Sequence, residues 1–250
     1  MGRSYKDIKY DLWYNLEKLG ISPGRIFYAL KGNSGHKQFS YSAIPNVSIS
    51  SDEVTHKRGE TLFGRAGIID TGKNFSSLGT KYSLVLDAKR ISVTPKFFVG
   101  QYGAAYECGF YINGNMSLSY YFATGAGIAL TSTTDFDPGV LAITADGATS
   151  KSYVGGAFVS SVANSRSIGT GYNWRLGGGW QTDAGYPFIL LRGFIAIKGA
   201  LSASQVAAMT DLPALWKPRP DISYFETAGD VILPIRFNSK QRIMHTNIRM

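Results

Sequence analysis

The chain of 250 residues contains a single cysteine, Cys108. A lone thiol forbids an internal disulfide, so a disulfide-stapled secreted module is excluded. No apolar run approaches the roughly 18 residues that a membrane-crossing helix needs. The opening residues, Met1 to Asp7, lack an apolar signal core, so neither signal-peptide export nor membrane spanning is expected. Gly2 is followed at position 6 by Lys6, where myristoylation needs Ser or Thr. Charged residues amount to only 17% against 44% apolar, which leaves ample material for a core and none of the charge excess of a disordered chain. Lys and Arg are missing altogether between Lys96 and Lys151.

Metal and catalytic patterns are missing as well. His36, His56 and His245 stand far apart, and no His-x-x-x-His or Cys-x-x-Cys occurs, so zinc is not expected. Retaining glycoside hydrolysis needs two carboxylates about 5 Å apart. Glu17, Glu53, Glu60, Glu107 and Glu226 are isolated from one another, and adjacent Asp52 and Glu53 would point to opposite faces of a strand. The expectation is therefore that the chain is not an enzyme. Cys108, within the run YECGFYI, reads as core filler rather than nucleophile.

What is present is short-period alternation and glycine. The 29 glycines follow no repeat, which fits many tight turns between short strands. Val140 to Thr144 reads as a strand, Asp146-Gly147 as a turn and Tyr153 to Val159 as the returning strand. In the run Phe188 to Lys198, a period of two puts Ile189, Leu191, Gly193, Ile195 and Ile197 on a core face and leaves the other face to water. Ser202, with Gln205 three residues on, predicts a helix start; Leu201 and Val206 are placed to staple it, and Pro213 ends any continuation. Upstream, Leu62 to Ile69 and Tyr82 to Leu86 read as strands and Thr55 to Gly59 as a polar connection. The aromatics from Phe97 to Phe122 fit short core strands joined by hairpins, with Asn113-Gly114 as a tight turn and some tyrosines facing outward. The fold class expected is all-β, a two-sheet antiparallel sandwich.

The two ends read differently. Tyr5, Ile8, Leu12, Leu16 and Leu19 recur at helical spacing, with Ser4 and Asp7 as a start and Gly20 as a stop. The net charge of +9 is concentrated there: residues 1–31 carry six Lys/Arg against three Asp/Glu, and residues 213–250 carry the same. Neither end has a block of five like charges, so subunit contact is preferred to nucleic-acid binding. Three regions follow: a helical arm over 1–25, a sandwich over 26–212 and an extended basic tail over 213–250. Trp216 to Pro220 reads as an extended proline-spaced link, with strand-like pieces at Val231 to Leu233 and Ile235 to Phe237.

The segments ITADGATSKSYVGGAFV, WRLGGG and FILLRGFIAIKGALSASQVAAM, with GNSGHKQ at Gly32 to Gln38, resemble the laminin-G-like branch of the concanavalin A-like lectin and glucanase superfamily. The resemblance spans about residues 26–216 and is most specific in its last third. It implies a concanavalin A-like jelly-roll. Domains of this kind trailed by a segment such as Leu215 to Pro220 look like those of bacteriophage virion proteins. That implies a structural or decorating subunit, in capsid, neck or tail, localised to the virion and partnered by other virion subunits, as a homo-oligomer, without specific nucleic acid or membrane. Ile8, Leu12, Trp13, Leu16, Trp216, Arg219, Arg236 and Arg242 would make the subunit contacts. The alternative is a carbohydrate-binding module or adhesin without a structural role. Sugar binding in such folds uses aromatic faces beside Asn, Asp and Arg, which directs attention to Tyr172, Asn173, Trp180, Asp183 and Tyr186; Trp174 reads as core and Trp180 as rim. No cofactor is expected, although Asp135 and Asp137 begin a calcium loop of the type some relatives use, or are simply turn-forming residues.

Overall fold

The computed structural model describes residues 5–31, 38–39, 48–49, 54–57, 60–63, 68–90, 97–101, 108–113, 117–122, 127–131, 139–163, 168, 173–177 and 189–219. A helix α1 (Tyr5–Lys18) comes first. Strands β1 (Ile26–Lys31), β2 (Gln38–Phe39), β3 (Ser48–Ile49), β4 (Val54–Lys57), β5 (Glu60–Phe63), β6 (Ile68–Asp70), β7 (Lys81–Arg90) and β8 (Phe97–Gln101) follow. Then come β9 (Cys108–Ile112), β10 (Leu118–Tyr121), β11 (Gly127–Thr131), β12 (Gly139–Asp146), β13 (Thr149–Val154), β14 (Ala157–Ala163), β15 (Trp174–Gly177) and β16 (Ile189–Lys198). A short helix α2 (Ala203–Ala207) and a 3₁₀ turn, Leu212–Trp216, complete the described chain.

These strands make two antiparallel sheets, one of nine strands in the order β14-β13-β12-β7-β16-β1-β2 with β5 and β4 beside β16, and one of seven in the order β11-β10-β9-β8-β15-β6-β3. The expected all-β sandwich is what the chain forms. Its inner layer takes alternate residues from both sheets, among them Leu84 and Leu86 of β7, Phe110 of β9, Tyr120 of β10 and Leu176 of β15. Phe75, Trp174 and Phe194 stack there in parallel, Phe75 to Trp174 at 4.8 Å and 10° and Trp174 to Phe194 at 6.3 Å and 11°. Trp174 is thus core, as its sequence context indicates, and so is the buried thiol of Cys108. At one edge Ser152 Oγ of β13 donates to the carbonyl of Ala129 on β11 at 2.6 Å, tying the two sheets together.

Over β16, β7 and β12 both faces of the nine-stranded sheet are covered, contrary to the expectation that one face of Phe188 to Lys198 meets water. Ile195 and Ile197 of β16, Val85 of β7 and Ala142 of β12 turn outward into a second apolar layer. That layer is completed by Leu12 and Leu16 of α1, Val206 of α2, and Met209, Leu212, Leu215 and Trp216. The expected facing of β16 is also corrected. Its register against β7 slips between Leu191 and Gly193, so Leu191 points into the inner core with Phe194 and Ala196, while Ile195 and Ile197 point out. The glycine after the bulge has a packing reason: a Cβ at Gly193 would lie 3.2 Å from both Leu212 and the Trp216 ring.

The termini therefore close on their own molecule. Leu12, Leu16 and Trp216, expected to grip another subunit, are buried within this chain, and that expectation is corrected. Trp13 packs half-buried at the rim of the same cluster. Arg219, also expected at a subunit contact, donates from Nε at 3.1 Å to Asp11, which is 1% exposed. Asn15 Nδ2 donates to the carbonyls of Leu215 at 3.0 Å and Lys217 at 3.1 Å, and Gln205 Nε2 donates to those of Leu19 and Gly20. Trp216 closes the 3₁₀ turn instead of opening an extended link. Ile8 falls in α1, but its side chain lies outside the described residues, as do Arg236, Arg242 and the strand-like pieces after Val231.

Local signals were obeyed where the backbone alone decides. Gly20, at φ 69°, ends α1 as predicted, with Ile21 N–H bonding to Leu16 and Gly20 N–H to Glu17. Ser202 and Gln205 form both bonds of a capping box. The Asp146-Gly147 turn is present; the N–H groups of Thr149 and Ala148 donate to Asp146 Oδ1 at 2.7 and 2.8 Å and hold its carboxyl below the usual carboxylate range. Two expectations fail. Tyr153 to Val159 is two strands, because Gly155 and Gly156 take φ 55° and 84° and turn the chain between β13 and β14. Val54–Lys57 is strand β4 paired with β5, not part of a connection, and β5 and β6 belong to different sheets.

Candidate functional site

The outer face of the seven-stranded sheet receives the alternate residues that the core rejects. On β9, Cys108, Phe110 and Ile112 point inward, so Gly109 and Tyr111, followed by Asn113, take the other side. On β10, Leu118 and Tyr120 point inward, leaving Ser119 and Tyr121 outside, and Ser117 precedes them on that face. Trp174 and Leu176 send Arg175 out from β15, and Ile69 does the same for Asp70 on β6.

Register lines these residues up across the strands. Gly127 pairs with Tyr121, Tyr121 with Gly109, Gly109 with Gly100, Gly100 with Arg175, and Arg175 with Asp70. The result is one transverse row, aromatic at one end, without side chains in the middle, and a charge pair at the other. At the aromatic end Tyr111 and Tyr121 meet edge to face, with centroids 5.3 Å apart at 80°. The Tyr121 ring leans over Gly127, where an added Cβ would meet three ring atoms at 3.3 to 3.5 Å. A side chain larger than a methyl there would push the ring up from the sheet.

The middle of the row needs glycine for the same kind of reason. A Cβ on Gly100 would sit 2.4 Å from the Cys108 carbonyl oxygen, and one on Gly109, at φ 152°, would sit 2.3 Å from that of Val99. The two strands approach too closely for any side chain. At the far end Arg175 Nε lies 3.5 Å from Asp70 Oδ2, both partly exposed. Asp70 Oδ1 also accepts from the Gly72 N–H at 2.8 Å, which fixes the carboxylate.

A hydrogen-bonded network stiffens the aromatic end. Tyr121 OH donates to Asn113 Oδ1 at 3.2 Å. Asn113 Nδ2 in turn donates to Ser117 Oγ and Ser119 Oγ, each at 2.9 Å. Half-buried aromatic rings beside ordered amide and hydroxyl groups present apolar faces and hydrogen-bonding edges together, which is the chemistry a sugar ring requires.

Of the residues singled out from sequence, Asn173 is exposed at the start of β15, two positions from Arg175 and on the same side of the strand. Tyr172, Trp180, Asp183 and Tyr186 lie outside the described residues, and so do Asp135 and Asp137. Sequence reasoning missed Gly100, Gly109, Tyr111, Tyr121 and Arg175. The signal was available in CGFYIN and LSYY, where large apolar residues alternate with Gly, Tyr, Asn and Ser.

No family model matches the chain, and no curated protein matches it. Solved structures do. Domain 4 of AbnA, an extracellular arabinanase of Geobacillus stearothermophilus, in complex with arabinotriose, superposes with TM-score 0.59 at 17% identity over 75% of this chain and 98% of that one. The binding domain of botulinum neurotoxin DC in complex with SialylT gives 0.61 at 10% identity over 75% and 50%. A Trypanosoma rangeli sialidase in complex with sialic acid gives 0.57 at 12% over 74% and 32%. This chain thus spans half of the neurotoxin binding domain and about a third of the sialidase. The likeness establishes a shared β-sandwich fold, one compatible with the concanavalin A-like architecture.

Proposed function

We propose that this protein is a glycan-binding β-sandwich and that the outer face of its seven-stranded sheet receives the sugar. The observation that carries the reading is the row from Tyr121 to Asp70: Tyr121, with Tyr111 edge-on beside it, two glycines and a donor-acceptor pair in register. The described neighbours bound to arabinotriose, SialylT or sialic acid support the class of ligand through their shared fold. Asn173, two residues before Arg175, would add one amide beside the row, and Tyr172, Trp180, Asp183 and Tyr186 are proposed as further sugar contacts.

A structural role in a bacteriophage virion is the second reading, and it calls for arms free to reach other subunits. The burial of Leu12, Leu16 and Trp216 takes the N-terminal arm and the first part of the tail out of that role. What is left for it is the basic segment after Arg219, through Arg236 and Arg242.

Glycan-array binding of the full chain tests the proposal. Tyr121→Ala is expected to lower binding at least tenfold while the thermal melt stays cooperative. Unchanged retention by the Tyr121→Ala protein would overturn the assignment of this face.

A further inference from the structure

We infer that the sugar this face selects is neutral, a short unbranched chain of uncharged rings laid across the strands, and that carboxylate-bearing sugars are rejected. The inference rests on the proposed glycan-binding role and narrows it.

The chain is strongly basic overall, at +9, yet among the described residues the face offers little positive charge. Strands β8 to β11 come from the stretch between Lys96 and Lys151, which holds no Lys or Arg at all. Only β15 brings a cation into the row, Arg175, and its guanidinium already faces Asp70. Lys73, three residues beyond Asp70, directs its ammonium at the Phe27 ring, 5.0 Å from the centroid, and at the Phe27 carbonyl. Burial, and then the charge of Lys198, pull that ammonium below the usual lysine range. An incoming carboxylate would have to share Arg175 with Asp70, whose like charge repels it.

A neutral ring meets no such penalty. Vicinal hydroxyls both donate and accept, and Arg175 beside Asp70 offers donors and an acceptor side by side. From Tyr121 on β10 to Arg175 on β15 is three strand spacings, about 14 Å, the reach of roughly a trisaccharide. Gly100 and Gly109, both buried in the sheet, add no side chain of their own to that path.

The test combines array and titration. The full-length protein is screened on neutral, uronate-bearing and sialylated glycans, then titrated with arabinotriose and maltotriose as neutral probes and with trigalacturonate and sialic acid as acidic ones. Retention of neutral chains is expected, with an affinity changing less than twofold between low salt and about 0.5 M, because no ion pair is screened. Gly127→Val, which pushes Tyr121 off its seat, is expected to lower that affinity at least tenfold. Asp70→Asn keeps an acceptor for the Gly72 N–H but frees Arg175, and should raise affinity for trigalacturonate about tenfold. Selective, salt-sensitive retention of acidic sugars would overturn the neutral class and leave the glycan-binding role standing. Retention of no glycan of either class would overturn both.

Discussion

On β16 the residues turned away from the inner core are Ile195 and Ile197; on β9 and β10 they are Tyr111, Ser119 and Tyr121. Both sheets use the same period of two, and both fill the inner layer with apolar residues. They differ in what the second face was given. The centre of the nine-stranded sheet, β12, β7 and β16, has apolar residues on both sides and so requires a lid, which α1, α2 and the Leu212–Trp216 turn supply. The seven-stranded sheet has glycine, tyrosine, serine and asparagine there, which no apolar lid would satisfy. An outward face is a docking surface in one case and a candidate recognition surface in the other, and side-chain chemistry decides which.

The largest effect is expected from removing the lid. Trp216→Ala should destabilise by about 3–5 kcal/mol, the cost of deleting a large buried aromatic, read as a fall in the denaturation midpoint. Glycan binding by the fraction still folded should be unchanged; if it falls in step with stability, the two faces are not separable as described. Asp11→Ala leaves the Arg219 guanidinium without its carboxylate at a nearly buried site and should cost about 3 kcal/mol in the same assay.

Alkaline pH should act on the inner layer that both faces share. Tyr28, Tyr82 and Tyr120 are buried, and burial raises their phenolic pKa values above the ordinary one. A raised folded value means stability that is full below the ordinary tyrosine pKa of about 10 and is lost as pH rises above it, because the unfolded chain ionises first. Thermal melts between about pH 8 and 11 should hold level and then drop, with phenolate absorbance appearing together with unfolding. Phenolate absorbance that rises fully while the fold persists would contradict the burial.

Smaller effects sharpen the contrast further. Ser202→Ala removes the hydroxyl that accepts from the Gln205 N–H and should cost about 1 kcal/mol, loosening only the lid. Gly127→Val should change stability by less than about 0.5 kcal/mol, as exposed substitutions usually do, while lowering sugar affinity at least tenfold. Of the two, only the second reports on function.

Much of this fold was legible in the sequence because short-range physics wrote it there. Gly20 as a left-handed stop, the Ser202 and Gln205 capping box and the Asp146-Gly147 turn depend on a few neighbouring residues and came out as read. The destination of α1 did not, since Leu12 and Leu16 form the same stripe whether they bury against their own sheet or a second subunit. The facing of Gly193 was hidden for a similar reason: the Trp216 ring it packs against lies about twenty residues away in the chain. The β13–β14 turn was readable in Gly155-Gly156 but was absorbed into a longer run of β-formers. The recognition row was half legible. Outward tyrosines were expected, but which strands bring Gly100, Gly109, Tyr121 and Arg175 into one line is a matter of register, and one sequence does not reveal register.

The most direct test of the central claim is amide chemical-shift mapping of the full chain titrated with the glycan it retains best. Perturbed amides are expected to cluster at Gly100, Gly109, Tyr111, Tyr121 and Arg175, with α1 and Leu212–Trp216 silent. Perturbations centred on α1 and its neighbours, with the Tyr121 to Arg175 row unmoved, would contradict it.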